Sequence, residues 1–396
     1  MRISRMALRG LAAVVAGVLA FSPATPATAA PPDVLPVDVT NDSGRSEQIH
    51  LYVVGVELSS GRLGHVDASG AFSPWPAGTN PPSPAPDVAI GGPGPGATTT
   101  LRVPRGFSGR MYFSFDRKLS FALTPDGLVQ PAPWNPADPD HTTLFDWSEF
   151  TYDGSGLWLN SSQVDMFSVP HAVAVTSDAG VTRRTGLLKP GGRNGIIDAL
   201  RNMPGDWPKL ITTGADGTPL RVLSPAKGIG TGVFSPTYLD GYIASAWDAY
   251  RNRTLTVVPF QNEPDRRFLG RTGDDGVLHF TDGTGARVAS FTRPSTKDVF
   301  GCDGALLAPN DPVVGPIART LCAGLHRSTL GYLHTQPTYD PAGFYTRDIA
   351  NHYSRTIHEH MADGRAYGFP FDDVGGFESL VHDGSPRSAA ITLTPF

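Results

Sequence analysis

Charge is scarce in this chain: only 17% of its 396 residues are Asp, Glu, Lys or Arg. The 32 basic and 37 acidic residues leave a formal net charge of −5, and no basic run is longer than a pair such as Arg183-Arg184 or Arg266-Arg267. The basic footprint of a nucleic-acid binder is therefore missing. Cysteine is nearly absent, with Cys302 and Cys322 alone, which excludes a disulfide-built scaffold. Past the N-terminus no apolar run reaches the ~20 residues that span a bilayer, so no membrane partner is expected. The chain also lacks the Gly-x-Ser-x-Gly elbow, the Walker pattern and a dinucleotide glycine pattern before a helix, which removes serine hydrolases and nucleotide enzymes. His352, His358, Glu359 and His360 lack the His-Glu-x-x-His spacing, and on a helix His358 and His360 point about 200° apart. They read as a solvated helix face, and no metal or cofactor is expected.

What the chain has in quantity is Gly (45) and Pro (37), about a fifth of all residues, which cuts helices short and favours strands joined by turns. A hydrophobic content of 40% is enough for a real core in one large or two ordinary domains. At the N-terminus Arg2, Arg5 and Arg9 precede an apolar stretch over 11–21 and the small residues Ala27-Thr28-Ala29, the parts of a secretory leader cleaved after Ala29. The mature protein is expected to be extracellular. That oxidising destination makes Cys302 and Cys322 a disulfide, a local staple of about 3 kcal/mol; the alternative is two buried thiols.

From about residue 37 to 175 the texture is that of short strands, over 48–56, 99–103, 110–116, 144–152, 157–160 and 163–169. Long Pro/Gly-rich connectors at 74–96 and 125–140 separate them. After about 185 apolar residues recur at helical spacing over 192–203, 235–250 and 313–330, with strands at 255–260, 277–280 and 287–291 between them. A further helix is predicted over 341–363, and a last strand over 389–394 that returns to the first sheet. The result is an α+β chain: leader 1–29, a β domain 30–184 completed by 364–396, and a mixed α/β domain 185–363.

The informative stretch is 144–170. Asp153-Gly-Ser-Gly156 forms one turn and Asn160-Ser-Ser-Gln163 a second, which predicts a three-stranded antiparallel meander. In that register Thr151 faces Trp158 and Trp158 faces Asp165, while Phe150, Tyr152, Leu157, Leu159, Val164 and Met166 turn to a core. Glu149 and Asp165 then share a face with their carboxyls roughly 7–9 Å apart, room for a water beside a sugar ring. Trp158 between them offers a flat stacking surface. The same pattern also fits two solvated acids and a surface Trp on an ordinary sheet.

The runs Ser148-Glu-Phe-Thr-Tyr152, Asn160-Ser-Ser-Gln-Val-Asp165 and Phe167-Ser-Val-Pro170 resemble glycoside hydrolase family 64, secreted bacterial endo-β-1,3-glucanases that release laminaripentaose. Gly191-Gly-Arg-Asn194, the segment 238–243, Gly301-Cys-Asp-Gly304 and 367–373 extend the resemblance over nearly the whole mature chain. It implies a thaumatin-like β-barrel or sandwich domain plus an α/β domain, with a wide groove between them for glucan. It implies Glu149 as general acid and Asp165 as general base of an inverting reaction, and it likens Phe371-Asp372-Asp373 to the acidic signature of thaumatin-like folds. Thr151, Asp153, Trp158, Asn160 and Gln163 are the expected substrate contacts. The rival is a non-catalytic thaumatin-like glucan-binding or antifungal protein. A β-1,3-glucan is the expected partner of either, and the chain is expected to be a monomer.

Overall fold

The computed structural model describes residues 31–396; the expected leader, 1–29, lies outside the described residues. The fold is mostly β, with a handful of short helices. Two sheets face each other. In the smaller, strands run in the order Thr182–Thr185, His171–Ser177, Pro386–Leu393, Val34–Asn41, Thr98–Pro104. Val34–Asn41 buries every second residue, the period of a strand with one face on a core. The tail strand Pro386–Leu393 lies parallel to it, Val37 opposite Ala389. The larger sheet runs Leu380–Asp383, Gly156–Asn160, Phe145–Asp153, Phe107–Phe115, Ile49–Glu57, Arg62–Val66, Phe72–Pro74.

Its central strands Ile49–Glu57 and Phe107–Phe115 are buried on both faces, because this sheet is shared between two cores. Leu51, Val53, Phe113, Phe150, Tyr152, Leu157 and Leu159 pack into the sandwich. Tyr52, Val54, Tyr112, Phe145 and Trp147 pack on the other side. There they meet helices Gly192–Arg201, Asp240–Ala249 and Val314–His326 and the sheet Arg287–Phe291, Leu278–Thr281, Phe268–Thr272, Leu255–Val257, Thr335–Gln336. The single break in the buried run of Phe107–Phe115 is Arg110.

The hairpin 145–160 has the expected register, with Thr151 opposite Trp158 and Tyr152 opposite Leu157. Gly156 closes it at φ 109°, where an added Cβ would lie 2.0 Å from the Asp383 carbonyl oxygen, so only glycine fits. The third strand of the expected meander is not there. The outer edge of Gly156–Asn160 is taken by Leu380–Asp383, and Trp158 faces His382, not Asp165. Of 163–169 only Met166–Phe167 is a strand, and it pairs with Pro219–Leu223. Its apolar side chains enter the second core, so alternation there was satisfied by a different partner.

The helix expected over 341–363 is His352–His360, capped by Asn351, whose side chain accepts from the Ser354 N–H, and preceded by a separate turn at Pro341–Gly343. His358 does not lie on a solvated face. Its Nε2 sits 2.9 Å from Asp372, a fully buried carboxylate that Arg327 also contacts at 2.9 Å. Asp372 is thus an interior ion partner joining the two helix ends. Burial pushes its carboxyl up, but His358 and Arg327 more than offset this and hold it below the ordinary value. Burial lowers His358, and Asp372 overrides it, leaving the imidazole raised. Asp372 therefore adds stability above the unfolded aspartate pKa and loses it as pH falls; His358 adds stability below the unfolded histidine pKa and loses it as pH rises through its raised value. Cys302 and Cys322 form the expected disulfide, Cα atoms 5.8 Å apart. Arg327→Leu should cost about 3–5 kcal/mol, because it removes one of the two cationic partners of a buried carboxylate and leaves His358 alone to face it; urea unfolding at neutral pH measures it.

Candidate active site

Glu149 and Asp165 meet, although not on one sheet. Glu149 lies on Phe145–Asp153 directly opposite Arg110, the sheet geometry that brings cross-strand side chains into contact. Asp165 comes from the irregular run after Asn160. Arg110 touches both: its Nη2 is 2.9 Å from Glu149 Oε1 and 3.5 Å from Asp165 Oδ2, and its Nε donates to Glu149 at 3.1 Å. Through the shared nitrogen these two oxygens lie no more than about 6.4 Å apart, closer than the expected separation of roughly 7–9 Å and under the ~6.5–9.5 Å of inverting pairs, because Arg110 draws both carboxylates toward itself. Arg110 is 13% exposed, lies over Trp147 at 4.4 Å and reaches the Tyr112 hydroxyl, which donates to Gln130 at 2.6 Å.

A second cation arrives from helix Pro225–Gly230. Lys227 Nζ is 3.0 Å from the other oxygen of Asp165 and 3.8 Å from the centre of the Trp134 ring. Burial pushes the Asp165 carboxyl up; Lys227 and Arg110 together outweigh that and hold it below the ordinary aspartate value. This residue is an anion over the working range of most hydrolases, fit to accept a proton.

The run that carries Asp165 is pinned at both ends. Gln163, buried, accepts from the Tyr367 N–H at 3.0 Å, and its own carbonyl accepts from the Tyr353 hydroxyl at 2.6 Å. Its side-chain amide also donates to the Ser161 carbonyl, so this residue is engaged within the protein. Downstream the Ser224 N–H donates to the Asp165 carbonyl at 3.0 Å.

The other expected contacts fall on or near the Glu149 face. Asn160 is directly opposite Glu149, and its buried Oδ1 has no protein partner among the described residues. Thr151 shares the face, with its hydroxyl 2.7 Å from that of Ser108. Trp158 is half-buried, stacked on His382 with centroids 3.7 Å apart. Asp153 is committed locally, accepting from Ser155 N–H and hydroxyl at 2.7 and 2.6 Å in the hairpin turn. Arg110 and Lys227 are site residues not expected from the sequence. Arg110 carried a signal, a lone charge in an apolar strand run; Lys227, in Pro225-Ala-Lys-Gly-Ile-Gly230, carried none. Among the described residues three further potential metal ligands converge at Cys302, Cys322 and His326, but the sulfurs are joined and His326 is bonded to Val299 and Asn351.

Two acids flanking a shared cation, with indole rings against the cations, is a layout suited to cutting glycosidic bonds. The model of glycoside hydrolase family 64, described as β-1,3-glucanase, matches residues 33–393, and the chain belongs to that family. Glucan endo-1,3-β-glucosidases of Arthrobacter sp. (strain YCWD3) and Cellulosimicrobium cellulans are each 46% identical over 394 residues, 98% of this chain and 71% of the relative. A laminaripentaose-producing β-1,3-glucanase, crystallised with laminaritetraose, is 56% identical with a TM-score of 0.88, over 92% of this chain and 99% of its own. A β-1,3-glucanase domain from Clostridium beijerinckii, 23% identical, shares the fold with a TM-score of 0.77 over 94% of this chain and 100% of its own.

Lys227→Met should raise the pH at which the Asp165 carboxyl titrates, read by carbon-13 NMR of the aspartate side chains. The stability that Asp165 draws from its cations exists above the unfolded aspartate pKa and fades as pH falls, so the variant should be destabilised at neutral pH and approach the parent in acid.

Proposed function

We propose that the chain is a secreted endo-β-1,3-glucanase that hydrolyses laminarin and curdlan to short laminarioligosaccharides, chiefly laminaripentaose, by single displacement. The observation that carries this is the convergence of Glu149 and Asp165 on Arg110; the family membership and the named relatives support it. Glu149 protonates the glycosidic oxygen. Asp165, ionised, takes a proton from a water that attacks the anomeric carbon from the opposite face, and the configuration inverts. Lys227 and Arg110 keep the base charged between turnovers.

The partner is one β-1,3-glucan chain, bound in a wide groove between a thaumatin-like sandwich, 30–184 with 364–396, and a second domain, 185–363. Trp158 stacks on a sugar through the ring face that His382 leaves free. The Asn160 amide oxygen accepts a hydroxyl of the substrate or of the attacking water, and Thr151 and Asp153 line the same face. Gln163 acts by shaping the Asp165 run. The protein works as a monomer after loss of residues 1–29; among the described residues no helix is long and apolar enough to cross a membrane.

Glu149→Gln and Asp165→Asn should each lower kcat on laminarin by about 10²–10⁴-fold, with laminarioligosaccharide binding retained. Proton NMR of fresh product should show the α-anomer first. A wild type that binds laminarin without releasing reducing ends would make it a binding protein, and the β-anomer first would remove the inverting mechanism.

A further inference from the structure

Three residues before Glu149, on the same strand, a second carboxylate is buried. Asp146 is 1% exposed, and no Lys, Arg or His pairs with it among the ion pairs of the described residues. It accepts backbone N–H groups instead. Oδ1 takes Trp147 at 2.9 Å, and Oδ2 takes both Ser168 and Val169 at 3.0 Å. Ser168 and Val169 lie just beyond Met166–Phe167, so only those two residues separate the anchor from Asp165. The same peptide is held from its other side, where Arg193 Nε donates to the Ser168 carbonyl at 3.0 Å.

We propose that Asp146 is a positioning residue: its carboxylate ties the chain just past Asp165 to the strand that carries Glu149, and so sets the separation of the two acids. This rests on the functional reading above. Phe145–Asp153 and the 161–165 run share no sheet ladder; among the hydrogen bonds and ion pairs of the described residues, Asp165 is tied to the Glu149 strand through the Arg110 side chain and, just downstream, this clamp. Burying a carboxylate is costly, and burial pushes Asp146 up to about 7 against the three N–H groups and the charge of buried Arg221 that lower it. A hydrophobic side chain would suit packing better if holding the chain were not required. Two N–H groups converging on one oxygen need an acceptor, and a carboxylate supplies it without adding a donor.

The test is Asp146→Asn in the mature chain, an isosteric change that replaces one acceptor oxygen with a donor. We expect kcat on laminarioligosaccharides about 10- to 100-fold lower with KM within about twofold, the signature of misplaced reacting groups. The crystal structure of the variant should show the Asp165 carboxylate displaced from Arg110. If Asp146→Asn does not accumulate folded, Arg193→Gln, which loosens the same peptide, should give the same kcat–KM split. An unmoved Asp165, an unchanged kcat, or a loss that tracks only the folded fraction overturns the proposal. Glu149→Gln and Asp165→Asn run beside it: if they stay active the hydrolase reading fails, and the crystallographic displacement still decides the clamp.

Discussion

One guanidinium holds the candidate site together. Two carboxylates brought this close repel. Arg110 stands against both and removes that cost, and it is itself fixed by Trp147 and the Tyr112 hydroxyl. Lys227 does the same for the far oxygen of Asp165 with Trp134 at its back. Each cation is thus braced by an indole ring, an arrangement worth more in a partly desolvated setting than on an open surface. The two cations belong to different layers of the fold, one in the large sheet and one on a helix of the second core, so the charge state of Asp165 depends on both layers being packed.

The large sheet makes this possible because its two faces do different work. In Phe145–Asp153 the residues Phe150 and Tyr152 are committed to the sandwich core, while Phe145 and Trp147 are committed to the second. Glu149 and Thr151 continue the second face beyond the point where its apolar packing ends. The side chain at 149 is accordingly half-covered, on a strand that rigid packing holds on either side. A sheet buried on both faces is a stiff platform, and reacting groups mounted on it keep their geometry.

Much of this was legible in the amino-acid order. The Asp153-Gly-Ser-Gly156 turn and the strict alternation around it dictated one register for 145–160, and Glu149, Thr151, Trp158 and Asn160 share a face as that register requires. Asp165 was identified as a partner of Glu149 although the strand meant to carry it does not exist. Local alternation could bury Val164 and Met166 equally well against a neighbouring strand or a distant core, and nothing within 144–170 distinguishes the two. The deciding contacts are with Tyr367, Ser379 and Leu223, some 60 to more than 200 positions away. Lys227 was invisible for the same reason, while Arg110 could have been singled out as the lone charge in an apolar run.

That dependence on distant partners has a consequence for how the site comes into being. The strand Leu380–Asp383 takes the edge of Gly156–Asn160 that the meander would have filled, and Tyr367 and Ser379 hold the 161–163 backbone. Until the last thirty residues have docked, Asn160 has no fixed neighbour on one side and the run to Asp165 lacks its Tyr367 and Ser379 anchors, keeping that of the Tyr353 hydroxyl on Gln163. Contacts of such long sequence separation are costly in loop entropy and are made late. Glu149 and Arg110, adjacent across a ladder between strands Phe107–Phe115 and Phe145–Asp153, can meet as soon as that sheet forms. Asp165 by contrast depends on several distant segments at once: Arg110 in the large sheet, Lys227 and Ser224 beside the second core, and Tyr353 and Tyr367 through Gln163.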